Sequence, residues 1–559
     1  MRLLNKSFFP YTLLILSQSA LAVPPPSAGS QMQQLPPVPI PQKIEPKIEI
    51  QPTESSPAVP PASENYKMRV KSLRIVGAQV YSEAELLTML GFSPNSELSL
   101  PELRGMAAKI ADYYHQKDYF LAQAYLPVQD VSEGIVTIVV IVGQYGKISV
   151  NNESNLNNAL AQDILSDLKG GDLITTDDLE TSLLLLSDLP GIKVNSSLVP
   201  GSAVGTSDLN VKVTQGPRVT GSVDADNAGN RYTGMYRGGL TINFNEPFGQ
   251  GDVASLRLLT AGSGLNYGRL SYQMQLGKTT LGAAYSYLAY ELGKQFESLG
   301  AHGSAQIASI YGSYPLIRSR DNNLFVQLGF DERMFRDKTD VPMTVANKRA
   351  HVLKAGLYGD SRDTLWGGGL NAYSFTLTSG FLDIETPQVR TFDALTARTQ
   401  GYYNKFSLYA MRLQNVTDYL ALFASINGQV ASKNLDVSEK MELGGMYGVR
   451  AYPEGETYAD QAAIFTAEAR FLLPKFFDEI PGQMQLIGFV DVGTAGIYQN
   501  PWSSGSNSRT LSGAGIGFNW EEMNNFAVKM YYAHKLGNEK ALSAPDQSGQ
   551  FWVQLVKYF

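Results

Sequence analysis

The chain has 559 residues, more than one ordinary domain, so about two to four units with ample length for cores are expected. Hydrophobic residues make up 43% and charged residues 17%, which argues against a disordered chain and against a soluble enzyme with a typical charged surface. A net charge of −7 gives no overall attraction to nucleic acid, and the lack of cysteine excludes disulfides, thiolate metal sites and cysteine nucleophiles.

Arg2 and Lys6 precede the apolar stretch from Phe8 to Leu16, and Ala20-Leu21-Ala22 supplies small residues for cleavage. Residues 1–22 therefore read as a secretory signal peptide cut after Ala22; an N-terminal core helix explains the basic start and the A-x-A end less well. Beyond it no run approaches the ~18 apolar residues of a membrane-crossing helix. That leaves an exported soluble protein or a closed β-barrel, in which every backbone group is satisfied inside lipid. Residues 23–66 are dense in proline, including Pro24-Pro25-Pro26, Pro36-Pro37 and Pro60-Pro61, and read as an extended linker. The linker as a whole is a candidate plug segment, and within it Ser27–Gln34 carries a weak helical pattern.

Two units with one order of elements (strand, helix, helix, strand, strand) follow over residues 67–143 and 144–217. In the first, Val70–Val76 is a strand, Glu83–Leu90 and Leu100–Lys117 are helices, and Ala124–Val128 and Ile135–Val142 are strands. In the second, Gly146–Val150 leads into helices over Leu156–Leu168 and Asp177–Ser187, then strands over Val194–Leu198 and Leu209–Thr214. Ser82 and Thr176 are read as N-caps. Such a unit offers an open sheet edge to which an extended peptide can add a strand.

From residue 218 onward helical periodicity gives way to alternation with period two. Leu324, Val326, Leu328 and Phe330 share one face, while Asn323, Gln327 and Asp331 share the other; Tyr373, Phe375 and Leu377 oppose Ser374, Thr376 and Thr378. A soluble sandwich alternates too. Export, aromatics near strand ends and a chain that stops inside a strand favour a barrel over residues 218–559. About 342 residues at roughly 21 per strand and connection give ~16 antiparallel strands.

The last strand, Phe551 to Phe559, resembles the sorting signal of outer-membrane barrels: Phe551, Val553, Leu555 and Phe559 alternate toward lipid as an assembly signal. Lys557 departs from that pattern and is tolerable only near the interface, where its stem can snorkel. Further motifs occur in order: Gly221-Ser222-Val223-Asp224-Ala225-Asp226-Asn227-Ala228-Gly229, then Leu443-Gly444-Gly445, Val449-Arg450-Ala451-Tyr452 and Phe489-Val490-Asp491-Val492-Gly493. With the two repeats, this combination resembles the two-partner secretion transporter (TpsB) family, the haemolysin secretion and activation proteins, over everything after the linker.

The resemblance implies that the repeats are POTRA domains in the periplasm of a Gram-negative bacterium, ahead of a transmembrane β-barrel in the outer membrane. It implies export of a large secreted partner protein, whether adhesin, haemolysin or contact-dependent toxin. Barrel-assembly machinery and outer-membrane lipid are its other expected partners; neither nucleic acid nor a cofactor is expected. The signature loop Val449, Arg450, Ala451 and Tyr452 is implied to fold back into the barrel, with Arg450 meeting Asp491 of the Phe489, Asp491, Gly493 strand motif. Alternation independently sends Ile487, Phe489 and Asp491 to the lumen, and Glu468, facing inward with Arg470, is a rival or second partner. Without the resemblance, Arg450 reads more readily as a surface arginine on an external loop. Ala451 stands where the family usually has glycine, which puts the loop-tip backbone in question.

The nearest rival function is a barrel-assembly insertase of the same superfamily, which usually carries more repeats. A barrel-borne hydrolase is the rival of another class, but His115, His302, His351 and His534 lie near no nucleophile motif. Gly277-Lys278-Thr279 ends like a phosphate loop, yet Tyr272 replaces the earlier glycine and the context is a strand.

Overall fold

The computed structural model describes residues 25–39, 47–50, 66–475 and 479–559, so the signal peptide expected at 1–22 lies outside the described residues. The described chain opens with a short helix, α1 (Ala28–Gln33), and a strand, β1 (Lys47–Ile50).

The first unit comprises β2 (Lys67–Val70), β3 (Ser72–Val76), α2 (Glu83–Leu90), β4 (Ser96–Ser99), α3 (Leu100–Gln116), β5 (Gln123–Tyr125) and β6 (Ile135–Ile141). The start of α3 is fixed by a reciprocal capping box between Ser99 and Glu102. Leu103, Ala107, Ile110 and Tyr114 recur at helical spacing and pack with Val136, Ile138 and Val140 of β6. Each large side chain in that layer stabilises the unit by about 1.5–3 kcal/mol. The sheet runs β3-β6-β5, and β2 pairs with β4 in a small ribbon that the sequence pattern did not indicate.

The second unit comprises β7 (Gln144–Glu153), α4 (Asn158–Ile164), α5 (Thr176–Ser187), β8 (Ile192–Pro200) and β9 (Thr206–Gln215). The cap of α5 is Thr175, not Thr176. Thr175 has the extended backbone a cap needs and its hydroxyl accepts from the Asp178 amide at 3.2 Å, whereas the Thr176 amide already donates to the Asp118 carbonyl. Helix α4 is shorter than the apolar run predicts, although Leu165 and Leu168 beyond it still enter the core. The sheet runs β1-β8-β9-β7, so a strand from the linker forms one edge of this unit.

Side chains of the second unit hold it against the barrel's near rim. Arg318 donates to Asp188 at 2.7 and 3.0 Å, Arg320 pairs with Glu180 at 3.0 Å, and the Asn157 amide donates to the Gly249 carbonyl at 2.8 Å. The barrel itself is closed and antiparallel, with sixteen strands among the described residues. It runs from Val219–Asp226 to Gly549–Tyr558, which pair with each other over Ser222–Asp226 and Gln554–Tyr558. Leu328, Leu353 and Leu377 on successive strands point outward with more than half their surface uncovered, while Asp331 and Thr378 point inward and are buried. An outer wall of that chemistry faces lipid. No helix among the described residues is long and apolar enough to cross a membrane; this chain crosses with strands.

Candidate functional site

The connection between the strands Leu420–Ala431 and Gln461–Leu472 turns into the lumen rather than out to solvent. Its tip is a tight reversal in which the Val449 amide donates to the Leu443 carbonyl at 2.7 Å and Gly445 takes a left-handed φ of +89°. Leu443, Val449, Ala451 and Tyr452 are fully buried and form one apolar cluster with Ile487 and Phe489 of the wall. The Tyr452 hydroxyl donates to the Glu539 carbonyl at 3.0 Å, and Val449 lies over Gly493, where a side chain would collide with it.

Arg450 sits at the centre. Its Nε and Nη2 each donate to the Asp491 carboxylate at 2.8 Å, and its main-chain amide donates there at 3.1 Å. Thr466 adds a fourth donor at 2.9 Å, so Asp491 is fully buried yet well satisfied. Arg450 Nη1 pairs with Glu468 at 2.8 Å, and Glu468 also pairs with Arg470 at 2.8 Å. Glu468 is thus a second partner rather than a competitor. The Phe489 ring lies 3.5 Å from the guanidinium carbon. Bidentate pairing fixes orientation as well as position, and removing one partner of such a buried group costs about 3–5 kcal/mol.

Ala451 takes no left-handed backbone; the residues of this loop that do are Gly445, Gly455 and Thr457. Its methyl group instead occupies the space over Gly513, where a Cβ would come within 2.4 Å of it. A glycine in the facing wall therefore accommodates the side chain that the loop tip carries.

Several partners of the loop were not legible in the sequence. Asp436 pairs with Lys348 at 2.6 Å, Glu439 with Arg333 at 2.6 Å and Lys405 at 3.1 Å, and Lys440 with Asp460 at 3.0 Å. Trp552, between two lipid-facing residues of the last strand, points inward and donates from Nε1 to the Arg450 carbonyl at 2.7 Å. Inward charges on alternating strands were the available signal, but only the loop's path tells which of them meet it. Phe551, Leu555 and Phe559 face outward, with Val553 on the same face half-buried. Lys557, on that face too, donates to Asn525 in the turn at the rim nearest the second unit.

Helix α1 lies inside the barrel beside this loop. Its first amide, at Ala28, donates to Asp337 of the wall at 2.7 Å, and Gln31 accepts from Thr233 at 2.8 Å. The Gln34 carbonyl accepts from Arg237 at 2.7 Å, while its amide group donates to Tyr458 at 2.5 Å and that of Gln33 to the Ser438 carbonyl. The helix thereby bridges the wall and the loop. Among the described residues no group of three or more histidines and carboxylates is arranged to hold a metal. His115 and His302 bond to backbone carbonyls and His351 stacks on Phe330.

Residues 205–520 match the profile of the haemolysin secretion/activation protein family ShlB/FhaC/HecB, and residues 68–143 match the ShlB-type POTRA domain. The heme/hemopexin transporter protein HuxB of Haemophilus influenzae is 28% identical over 557 residues, covering 98% of this chain and 97% of that protein. The outer membrane transporter CdiB of Dickeya dadantii is 23% identical over 383 residues, 66% of each chain. The solved structure of CdiB from Escherichia coli has the same fold, with a TM-score of 0.68 at 20% identity over 90% of this chain and 93% of that one. The chain belongs to the haemolysin secretion/activation protein family, ShlB/FhaC/HecB.

Proposed function

We propose that this outer-membrane transporter of two-partner secretion takes an unfolded partner from the periplasm at its two α+β units and passes it outward through the lumen. The observation that carries this reading is that, among the described residues, two separable pieces lie in the lumen, α1 and the loop around Arg450, both held by side-chain contacts and not by barrel strand pairing. Breaking those contacts clears a polar corridor without opening the barrel wall. In this reading α1 is the resting plug. The Arg450, Asp491 and Glu468 cluster keeps the loop seated so that the wall holds its shape while a chain passes.

The partner is a large secreted protein, an adhesin, haemolysin or toxin, and the protein performs no catalysis of its own. Burial of apolar surface when the partner folds outside prevents its return and supplies direction. The outward aromatic and aliphatic residues Phe551, Val553, Leu555 and Phe559 address the barrel to the assembly machinery and then to lipid. Planar-bilayer recording tests the corridor. The full chain should conduct weakly, and a variant lacking residues 28–33 should show a larger, stable conductance. A variant no more conductive than bare lipid would overturn the reading.

A further inference from the structure

The β8 edge of the second unit's sheet is not bare. Strand β1 lies along β8 in parallel register, Lys47 opposite Asn195 through Ile50 opposite Leu198. The equivalent strand of the first unit, β5, is the terminal strand of its sheet. Among the described residues, the same structural position is therefore occupied in one repeat and carries no strand in the other. The occupant comes from the linker, which is not part of the repeat.

Three features limit how firmly this strand is held. The strand spans four residues, so few main-chain hydrogen bonds hold it. Pro46 and Pro52 flank it in the sequence, and a proline cannot donate to a ladder, which limits its growth. Parallel pairing is also slightly less stable per residue than antiparallel pairing. The strand's sequence alternates charged and apolar residues, Lys-Ile-Glu-Ile, a pattern that any half-buried edge strand shares.

The same short tether leads to the helix in the lumen. The thirteen Cα steps from Gln34 to Lys47 reach at most roughly 45 Å fully extended. With β1 on the second unit and α1 bonded to Asp337 and Arg237, the tether is anchored at both ends.

We propose that the β8 edge of the second unit is the docking site for an extended segment of the exported chain, and that β1 is the internal strand which that segment displaces. Displacement detaches the periplasmic anchor of the tether and lets α1 leave the lumen, so recognition and unplugging are one exchange. This inference rests on the transport reading above and specifies where its substrate first binds.

The test uses the full chain in lipid nanodiscs and planar bilayers, with a labelled synthetic peptide of residues 43–52 as probe. Because the chain has no cysteine, Glu49→Cys with Ser197→Cys creates a single disulfide between register partners. Paired strands lie about 4.8 Å apart, within disulfide reach. A second variant, Ile48→Pro with Glu49→Pro, removes the pairing, since adjacent amides point to opposite sides and one of the two must face β8. The oxidised cross-linked protein should bind no peptide and keep the low resting conductance, and reduction should restore both peptide binding and opening. The double-proline variant should bind peptide about tenfold more tightly than the parent, because the tethered competitor is gone, and should open more often. Equal peptide binding by oxidised and reduced forms overturns the docking site. Unchanged conductance in the double-proline variant overturns the coupling to α1. A barrel that conducts nothing even without residues 28–33 overturns the transport reading beneath both.

Discussion

A substitute that keeps only the charge of Arg450 should not replace it. Its two parallel bonds to Asp491 and a third nitrogen on Glu468 use the planar fork of a guanidinium, and an ammonium offers a single point. Arg450→Lys should therefore lose most of the export that Arg450→Ala loses, while barrel abundance in the membrane stays normal. Secretion assays beside heat-modifiability gels check this, and wild-type export by Arg450→Ala at normal abundance contradicts it. The loop tip gives a sharper steric test. Gly513→Ala should destabilise the seated loop by about 1–3 kcal/mol through overpacking against Ala451, and Ala451→Gly added to it should restore the loss, as read by protease protection of residues 443–452. Arg450 and Asp491 were legible because a motif and a strand's alternation named them separately. Trp552 was not, since alternation assigns it a face but says nothing of the backbone carbonyl it meets.

At the scale of elements, the seam between the second unit and the barrel carries a titrating group. Glu246, in the turn after the strand Arg237–Asn245, is buried against Gly191 of the second unit. Burial first, and the Asp252 carboxylate second, push its carboxyl up to about 7 from an ordinary 4.5. A carboxyl raised by folding binds its proton more tightly in the folded turn. The turn at this seam is therefore firmest below about pH 4.5 and weakens as pH rises to about 7. Hydrogen exchange of residues 245–252, corrected for intrinsic rate, should increase across that window and should lose the dependence in Glu246→Gln. The long helices and the core strands of both units were legible from caps and apolar spacing. Helix α1 showed only as a weak helical pattern over Ser27–Gln34, and strand β1 did not show at all. Six and four residues carry little periodicity, and each is held by surfaces far away in sequence: Asp337, Arg237 and Ser438 for one, β8 for the other.

For the whole molecule, period-two alternation marked the last 342 residues as strands, and that length at roughly 21 residues per strand and connection gave about sixteen, because every strand repeats the same apolar-out rule. The ion pairs that line the lumen were beyond that rule: Lys348 to Asp436 and Arg333 to Glu439 join wall strands to a loop whose inward path no local pattern encodes. They matter because they make the interior a set of breakable contacts inside an unbroken cylinder. Salt screens such desolvated pairs weakly, so removal of α1 should raise conductance, relative to the full chain at the same salt concentration, by about the same factor at low and at high salt, which bilayer recording reads directly. An insertase would share the cylinder but would act on other barrels, and a transporter acts on one exported chain. Mass spectrometry of the growth medium and of the outer membrane, from cells with and without this protein, separates the two. Loss of one large protein from the medium with outer-membrane barrels unchanged is the result predicted here; an unchanged medium with depleted outer-membrane barrels would contradict it.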